Sequence, residues 1–284
     1  MSKAEEIRRR VRRLEEIPTL PDFFGKILAT IESERANFKD LATIVGEDPV
    51  LTSKILKLAN SAYYGRFKKV STVQQAVTTV GFDEIKTVSL SIAVFGSFCS
   101  RIPLQALRSF WVHALTTATA IRAIGNRGQE MSLDKIYFGG LLHDIGKLVL
   151  CLFYGADYLN VADAAARDCD PCEDEKKVFG MHHAEVGEWL AARWHFPNEL
   201  TELIGAHHHP GSGSLIRPSS VATVALGNSV AHAPTMKETD SATCDPLLSL
   251  TFDTLKVSHE ELVSVCRDVK SQEARIKETF SLIS

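Results

Sequence analysis

Leu141-Leu142-His143-Asp144-Ile145-Gly146-Lys147-Leu148-Val149-Leu150-Cys151 is the stretch whose reading decides the fold. Apolar side chains flank an imidazole and a carboxylate in a run without strict two-residue alternation, which reads as part of a buried helix over about 134–151. Outward from it, apolar residues recur at three and four positions through most of the chain, so the protein reads as nearly all α. The spacing predicts further helices at about 4–16, 22–35, 38–46, 49–60, 72–80, 83–98, 104–125, 156–168, 182–194, 198–208, 218–232 and 258–281. Three starts carry caps: Asp48 before Pro49, Ser71 with Gln74, and Ser258 with Glu261. The Thr-, Ser-, Asp- and Pro-rich stretch from Pro234 to Pro246 reads as a connection.

The 284 residues are 45% hydrophobic and 24% charged, which excludes disordered, collagenous and low-complexity classes and leaves room for two domains. The break at Ser100-Arg101-Ile102-Pro103 marks the expected seam, giving helical lobes 1–102 and 103–284. With 32 basic against 35 acidic residues there is no global field for nucleic acid or anionic lipid. Apolar stretches such as Val88 to Phe98 and Leu148 to Phe153 fall short of the roughly 18 residues of a membrane span. The arginine-rich start lacks the apolar core of a secretory signal, so a cytoplasmic location is expected. The six cysteines read as reduced thiols, and the lone CxxC of Cys169 and Cys172 as a chance occurrence.

Histidine is distributed unevenly. None of the ten precedes residue 113, and His143, His182, His183, His195, His207, His208 and His209 fall within 67 residues. Neutral imidazole is the commonest protein ligand for transition metals, and helical bundles build metal sites from facing helices. Lone histidines on apolar helix faces are more often satisfied core residues, the reading given to His195, His232 and His259, with His182 and His209 leaning the same way.

Four segments in order, FWVHALTTATA (110–120), LLHDIGKLVL (141–150), MHHAEVGEWLAARWHFP (181–197) and ELIGAHHHP (202–210), resemble the HD superfamily of metal-dependent phosphohydrolases. The chain is most similar to its signalling branch, the HDOD (HD-related output) domain. IPTLPDFFGKIL (17–28), EDPVLTSKILKLANSAYYG (47–65) and VSTVQQAVTTVGFDEIKTVSLS (70–91) resemble the HDOD leader, so the likeness runs from about Ile17 to Ala233. It implies an all-α, two-lobed helical bundle. It also implies His113, His143 and Asp144 as metal ligands, with His183, His207 and His208 at the positions a second metal uses in the related HD-GYP phosphodiesterases. Two departures stand out: Asn228 replaces the final HD aspartate, and Pro210-Gly211-Ser212-Gly213 stands where the Gly-Tyr-Pro signature would be.

A nitrogen-rich donor set with few carboxylates suits one or two divalent transition metal ions, iron or manganese first and nickel or zinc next, better than magnesium or calcium. Two such ions would activate a water and clamp a phosphate. Asp144 is then part of the catalytic core, and Lys147, one helical turn after His143, is either a phosphate contact or a residue of a solvated helix face. No Ser/His/Asp constellation, GxxxxGK loop or GxGxxG turn points to another chemistry.

In the N-terminal lobe, Lys39 to Asn60 has helix-turn-helix spacing, but Lys54 and Lys57 are a thin basic face for DNA. The Arg8–Arg13 segment, flanked by Glu5, Glu6, Glu15 and Glu16, reads as a solvated amphipathic helix able to dock on a partner or its own copy. Tyr63, Tyr64 and Phe67 are candidates for packing or partner contact. The first expectation is a bacterial-type signal-transduction module acting through protein partners, with metal or a phosphorylated small ligand controlling its shape; a homo-oligomer is compatible. The alternative is a phosphohydrolase acting on a phosphodiester or phosphomonoester. A metal-free scaffold is the third. Whether there is turnover stays open at this level.

Overall fold

The computed structural model describes residues 2–13, 16–32, 37–64, 69–127, 131–165, 171–209, 218–232 and 246–282. Among these every regular element is helical, and the chain divides into two compact units. The all-α class follows from the apolar spacing: nearly every helix buries one stripe, and the few central ones bury all faces.

The smaller unit is Pro18–Ser100 with Ala274–Ser284. It holds α2 (Asp22–Glu32), α3 (Phe38–Glu47), α4 (Pro49–Ala59), α5 (Val73–Val80) and α6 (Phe82–Ser97). α6 is its axis, buried without interruption from Glu84 to Phe95 and packed by α2, α3, α4 and α5. The Asp48 cap forms as its sequence requires, the carboxylate accepting from Leu51 N–H at 2.7 Å with Pro49 at the first helical position. The cap of α5 falls one residue later than expected, on Thr72 rather than Ser71. Lys54 and Lys57 donate to the carbonyls of Leu282 and Ser281, so both cations of the helix-turn-helix spacing are spent on the chain's own C-terminal turn.

The larger unit is Met1–Ile17 with Arg101–Glu273. The division after Ser100 lies close to the expected seam, but the two ends of the chain cross over it. α1 (Lys3–Arg13) buries Ile7 and Val11 and packs on α12 (His183–Arg193), with the Arg8 guanidinium 4.9 Å from the Trp189 ring. The partner of that amphipathic helix is therefore within its own unit. At the other end, Phe280 and Leu282 are buried against the smaller unit's α4 side.

α7 (Leu104–Ile124) is the larger unit's central helix. It packs along α14 (Pro218–His232), α8 (Leu133–Leu142) and α16 (His259–Ser271), and Ala120 and Ile124 join Leu226, Val230, Leu262, Val265 and Val269 in one apolar cluster. α9 (Ile145–Tyr154) packs on α12, which in turn packs on α13 (Asn198–Ala206). The remaining helices of this unit are α10 (Ala156–Ala165), α11 (Pro171–Phe179) and α15 (Pro246–Leu255), while α17 (Glu273–Thr279) falls in the smaller unit from Ala274 onward.

The helix expected over 134–151 is two helices, α8 and α9, broken at His143-Asp144. At that turn both side chains are buried. Read together, Leu133–Tyr154 does reach the length and apolarity of a membrane span, contrary to the sequence expectation; 83% of its most apolar window is buried inside the protein. α11 and α15 were not expected, and the 258–281 helix divides at Gln272 into α16 and α17. The Pro210–Ser214 run, most of the Pro234–Pro246 stretch, Phe67 and Cys169 lie outside the described residues.

Candidate metal centre

Five elements bring the site together. His113 comes from α7, His143 ends α8, Asp144 precedes α9, His183 is the first residue of α12, and His207 and His208 follow α13. All six residues that the resemblance named as ligands converge.

The tautomers are set by what lies behind each ring. His143 Nδ1 faces the Gly140 carbonyl at 2.7 Å, and His207 Nδ1 faces the Ile204 carbonyl at 2.7 Å. A carbonyl only accepts, so each Nδ1 carries the proton and each Nε2 of the neutral ring presents a lone pair inward. His183 Nδ1 donates to Glu175 Oε2 at 2.7 Å, and the same oxygen accepts the His183 backbone N–H at 2.6 Å. Tyr158 OH donates to the other Glu175 oxygen at 2.9 Å. This carboxylate-to-histidine support is how proteins hold metal-ligating imidazoles.

The inward nitrogens crowd one another. Nε2 of His113 and His143 are 3.3 Å apart, and Nε2 of His183 is 3.3 Å from that of His207 and 3.0 Å from that of His208. Asp144 stands between the two groups: Oδ2 is 3.3 Å from His113 and 3.2 Å from His143, while Oδ1 is 3.2 Å from His183. Both oxygens are buried without a well-aligned hydrogen-bond donor. His113, His143 and Asp144 form one set spaced to hold a metal ion, and Asp144, His183 and His207 another. Facing lone pairs around a buried carboxylate fit a cation, and one carboxylate with an oxygen toward each set fits two.

Electrostatics agree with that fit. Burial, reinforced by neighbouring histidines, pushes His113, His207 and His208 well below the usual imidazole range, leaving them neutral donors. Burial opposes charge on Asp144 too, but His143 and Lys147 outweigh it and hold its carboxyl well below the carboxylate range. His183 is raised despite burial, because Glu175 and Asp144 flank it. Lys147 Nζ lies 2.7 Å from Asp144 Oδ2, so the cation expected to meet a phosphate is engaged with the ligand carboxylate.

Several participants were not foreseen. Glu175, Tyr158 and Cys172 lie on α10 and α11, and the charged run of α11 has no apolar period that would have marked it as a helix. His232 is exposed rather than a core histidine, yet its ring packs 4.5 Å from that of His113 at the end of α14, where desolvation and nearby Lys147 lower its pKa to about 4. Asn228, one turn earlier on the same face of α14, is buried with its Oδ1 unpartnered. His195 and His259 are exposed and not core residues: His195 ends α12 in a left-handed conformation (φ 59°), and His259 opens α16. His182 caps α12, its ring accepting from Glu185 N–H, and His209 is exposed.

A family model described as "HDOD domain" matches residues 17–210. An uncharacterized protein of Treponema pallidum (strain Nichols) is 27% identical over 219 residues, 76% of this chain; the match spans 42% of that curated relative's length. Among solved structures, a proposed signal transduction protein from Marinobacter aquaeolei VT8 superposes with a TM-score of 0.78 at 19% identity, over 99% of this chain and 65% of that one. A proposed phosphohydrolase from Shewanella amazonensis SB2B does so with a TM-score of 0.71 at 23% identity, over 98% of both chains.

Proposed function

The chain belongs to the HDOD family, and we propose that it acts as a signal-transduction module in which an HD-type metal centre sets the conformation offered to protein partners. The observation that carries this reading is the burial of the donors. His143, His183 and His207 are fully buried, and the side chains of Asp144, Lys147 and His113 are 6%, 14% and 15% exposed. Structural metal sites are closed, whereas catalytic ones keep a position open to substrate. An ion held here would tie α7, α8, α9, α12 and α13 at one point, so that loading it shifts the population of whatever arrangement those helices present. Iron or manganese are the first candidates, with nickel and zinc compatible with the same nitrogen donors. A signalling protein is the expected partner, and a phosphorylated small ligand near Lys147 a second effector.

The completeness of the donor set favours a second reading, a metal-dependent phosphohydrolase. Bound metal would supply the activated water; Asp144 would hold the ions, and Lys147 would swing from Asp144 to a phosphate oxygen. The amide at Asn228, where the HD pattern has a carboxylate, weighs against it by removing a negative charge from the family's ligand set.

Metal analysis of protein purified without chelators or a metal affinity column tests both, comparing wild type with a His143→Ala/Asp144→Ala variant. A screen of phosphomonoesters and phosphodiesters accompanies it. The module reading expects bound metal, lost in the variant, without turnover. Metal-dependent turnover would give the phosphohydrolase; a folded, metal-free wild type would remove both.

A further inference from the structure

Cys172 opens α11 and is 3% exposed. Glu175 stands one helical turn later on the same face, where it holds the backbone N–H and ring of His183. α11 thus aims two side chains at one imidazole. The Sγ of Cys172 and a ring nitrogen from each of His183 and His208 lie within 4.8 Å of one another. His208 reaches the same ring, its Nε2 lying 3.0 Å from His183 Nε2, and Asp144 Oδ1 lies 3.2 Å from that nitrogen.

We propose that Cys172 is a metal ligand, giving the His183 side of the centre a sulfur, nitrogen, nitrogen donor set with His183 and His208 that selects a thiolate-binding transition metal such as iron or zinc over manganese. The inference rests on the reading of the histidine and aspartate cluster as a metal centre. Metal–sulfur and metal–nitrogen bonds of about 2.3 and about 2.0 Å let one ion join donors about 4 Å apart or less, so a small movement of Cys172 suffices. On coordination the sulfur–metal bond forms as the S–H bond breaks, and the proton leaves to solvent; no electron is transferred. The thiolate then offsets one of the two positive charges of a divalent ion. Sulfur is a soft donor, and it shifts preference toward iron, cobalt, nickel and zinc and away from manganese and magnesium, which take oxygen.

Cobalt(II) is the probe. Full-length apoprotein is titrated with cobalt and followed by absorption, with bound cobalt counted by elemental analysis. The expected result is a near-ultraviolet sulfur-to-cobalt charge-transfer band in wild type and in a Cys99→Ser control, lost in Cys172→Ser and Cys172→Ala while cobalt remains bound. Bound cobalt without that band in wild type, or a band that survives both Cys172 substitutions, overturns the proposal; the wild-type spectrum decides even if a variant fails to fold. Absence of bound cobalt from folded wild type overturns the metal-centre reading itself, an outcome distinct from cobalt bound through nitrogen and oxygen alone.

Discussion

One oxygen of Glu175 holds His183 at two points, accepting the backbone N–H at 2.6 Å and the ring Nδ1–H at 2.7 Å. The backbone donor is among the first N–H groups of α12, which have no partner within the helix, so the carboxylate serves as helix-terminus ligand and ring support together. Both His183 and Glu175 are buried, and the remaining Glu175 oxygen is held by Tyr158. Replacing Glu175 by Gln removes the negative charge behind the imidazole and turns one of the two acceptor oxygens, which hold His183 and Tyr158, into an N–H donor. Metal affinity is expected to fall by about 10–100-fold, the usual effect of losing such support. A competitive chelator titration checks it; wild-type affinity in Glu175→Gln would show that the ring is held by packing alone.

Chelation offers a separate test on stability. Donors from several helices converge on buried lone pairs that only a cation or proton relieves, so the loaded protein should melt above the metal-free one. At free metal about 100 times Kd, the stabilisation amounts to about 2.7 kcal/mol. Thermal melts before and after chelation, with metal added back, measure it. His143→Ala/Asp144→Ala should melt at one temperature in all three conditions.

How much of this was legible in the sequence depended on the kind of signal. The convergence of the six histidine and aspartate residues was, because such residues beside apolar repeats are rare and their order along the chain is distinctive. Caps that close within four residues, such as Ser258 with Glu261, were also legible. The turn at His143-Asp144 was not, because local apolar spacing continues through it. Glu175 and Cys172 stayed hidden because α11 is mostly charged and owes its place to contacts with α10 and α12. The exchanged chain ends were equally silent, since the pairing of Glu84 with Arg275 is set by tertiary packing.

Glu261 gives a pH dependence with a definite sign. Its Oε2 accepts the Ser258 backbone N–H at 2.8 Å and its Oε1 accepts from Arg127 at 2.9 Å. Those two bonds favour the charged form and hold the carboxyl below its ordinary value of 4.5. A carboxyl depressed by folding stabilises the protein at pH above its unfolded pKa, and that contribution is lost as pH falls through the folded value. Melting temperatures of wild type and Glu261→Gln should therefore differ near neutrality and converge as pH falls below the folded carboxyl's lowered pKa. A gap that widens on acidification would contradict the assignment.

Arg275 and Glu84 form an ion pair at 2.6 Å inside the smaller unit, with side chains 12% and 8% exposed. Tyr64 hydrogen-bonds the same guanidinium. Removing one partner strands a buried charge, which costs about 3–5 kcal/mol, whereas replacing both with apolar residues of similar size is often near neutral. Urea unfolding should accordingly rank Arg275→Met below Glu84→Met/Arg275→Met. If the single and double variants are equally destabilised, packing of the C-terminal segment outweighs the charge pair.

The centre also depends on a residue that ligates nothing. A Cβ on Gly146 would stand 1.9 Å from the His183 carbonyl oxygen and 2.7 Å from the Gly187 nitrogen. Both are backbone atoms of α12, which cannot swing aside as a side-chain tip would. Gly146→Ala must push α9 off α12 and so draw Asp144 away from the imidazole 3.2 Å from its Oδ1. Overpacking of this kind costs about 1–3 kcal/mol, and the loss should appear in metal content as well as in melting temperature, with every ligand still present. Gly46→Ala is the matched control: nothing lies within 4 Å of its Cβ, and in α3 the exchange should stabilise by up to about 1 kcal/mol. Wild-type metal content in a destabilised Gly146→Ala protein would mean that α9 and α12 can separate without disturbing the centre, and that Asp144 does not bind both sets of histidines at once.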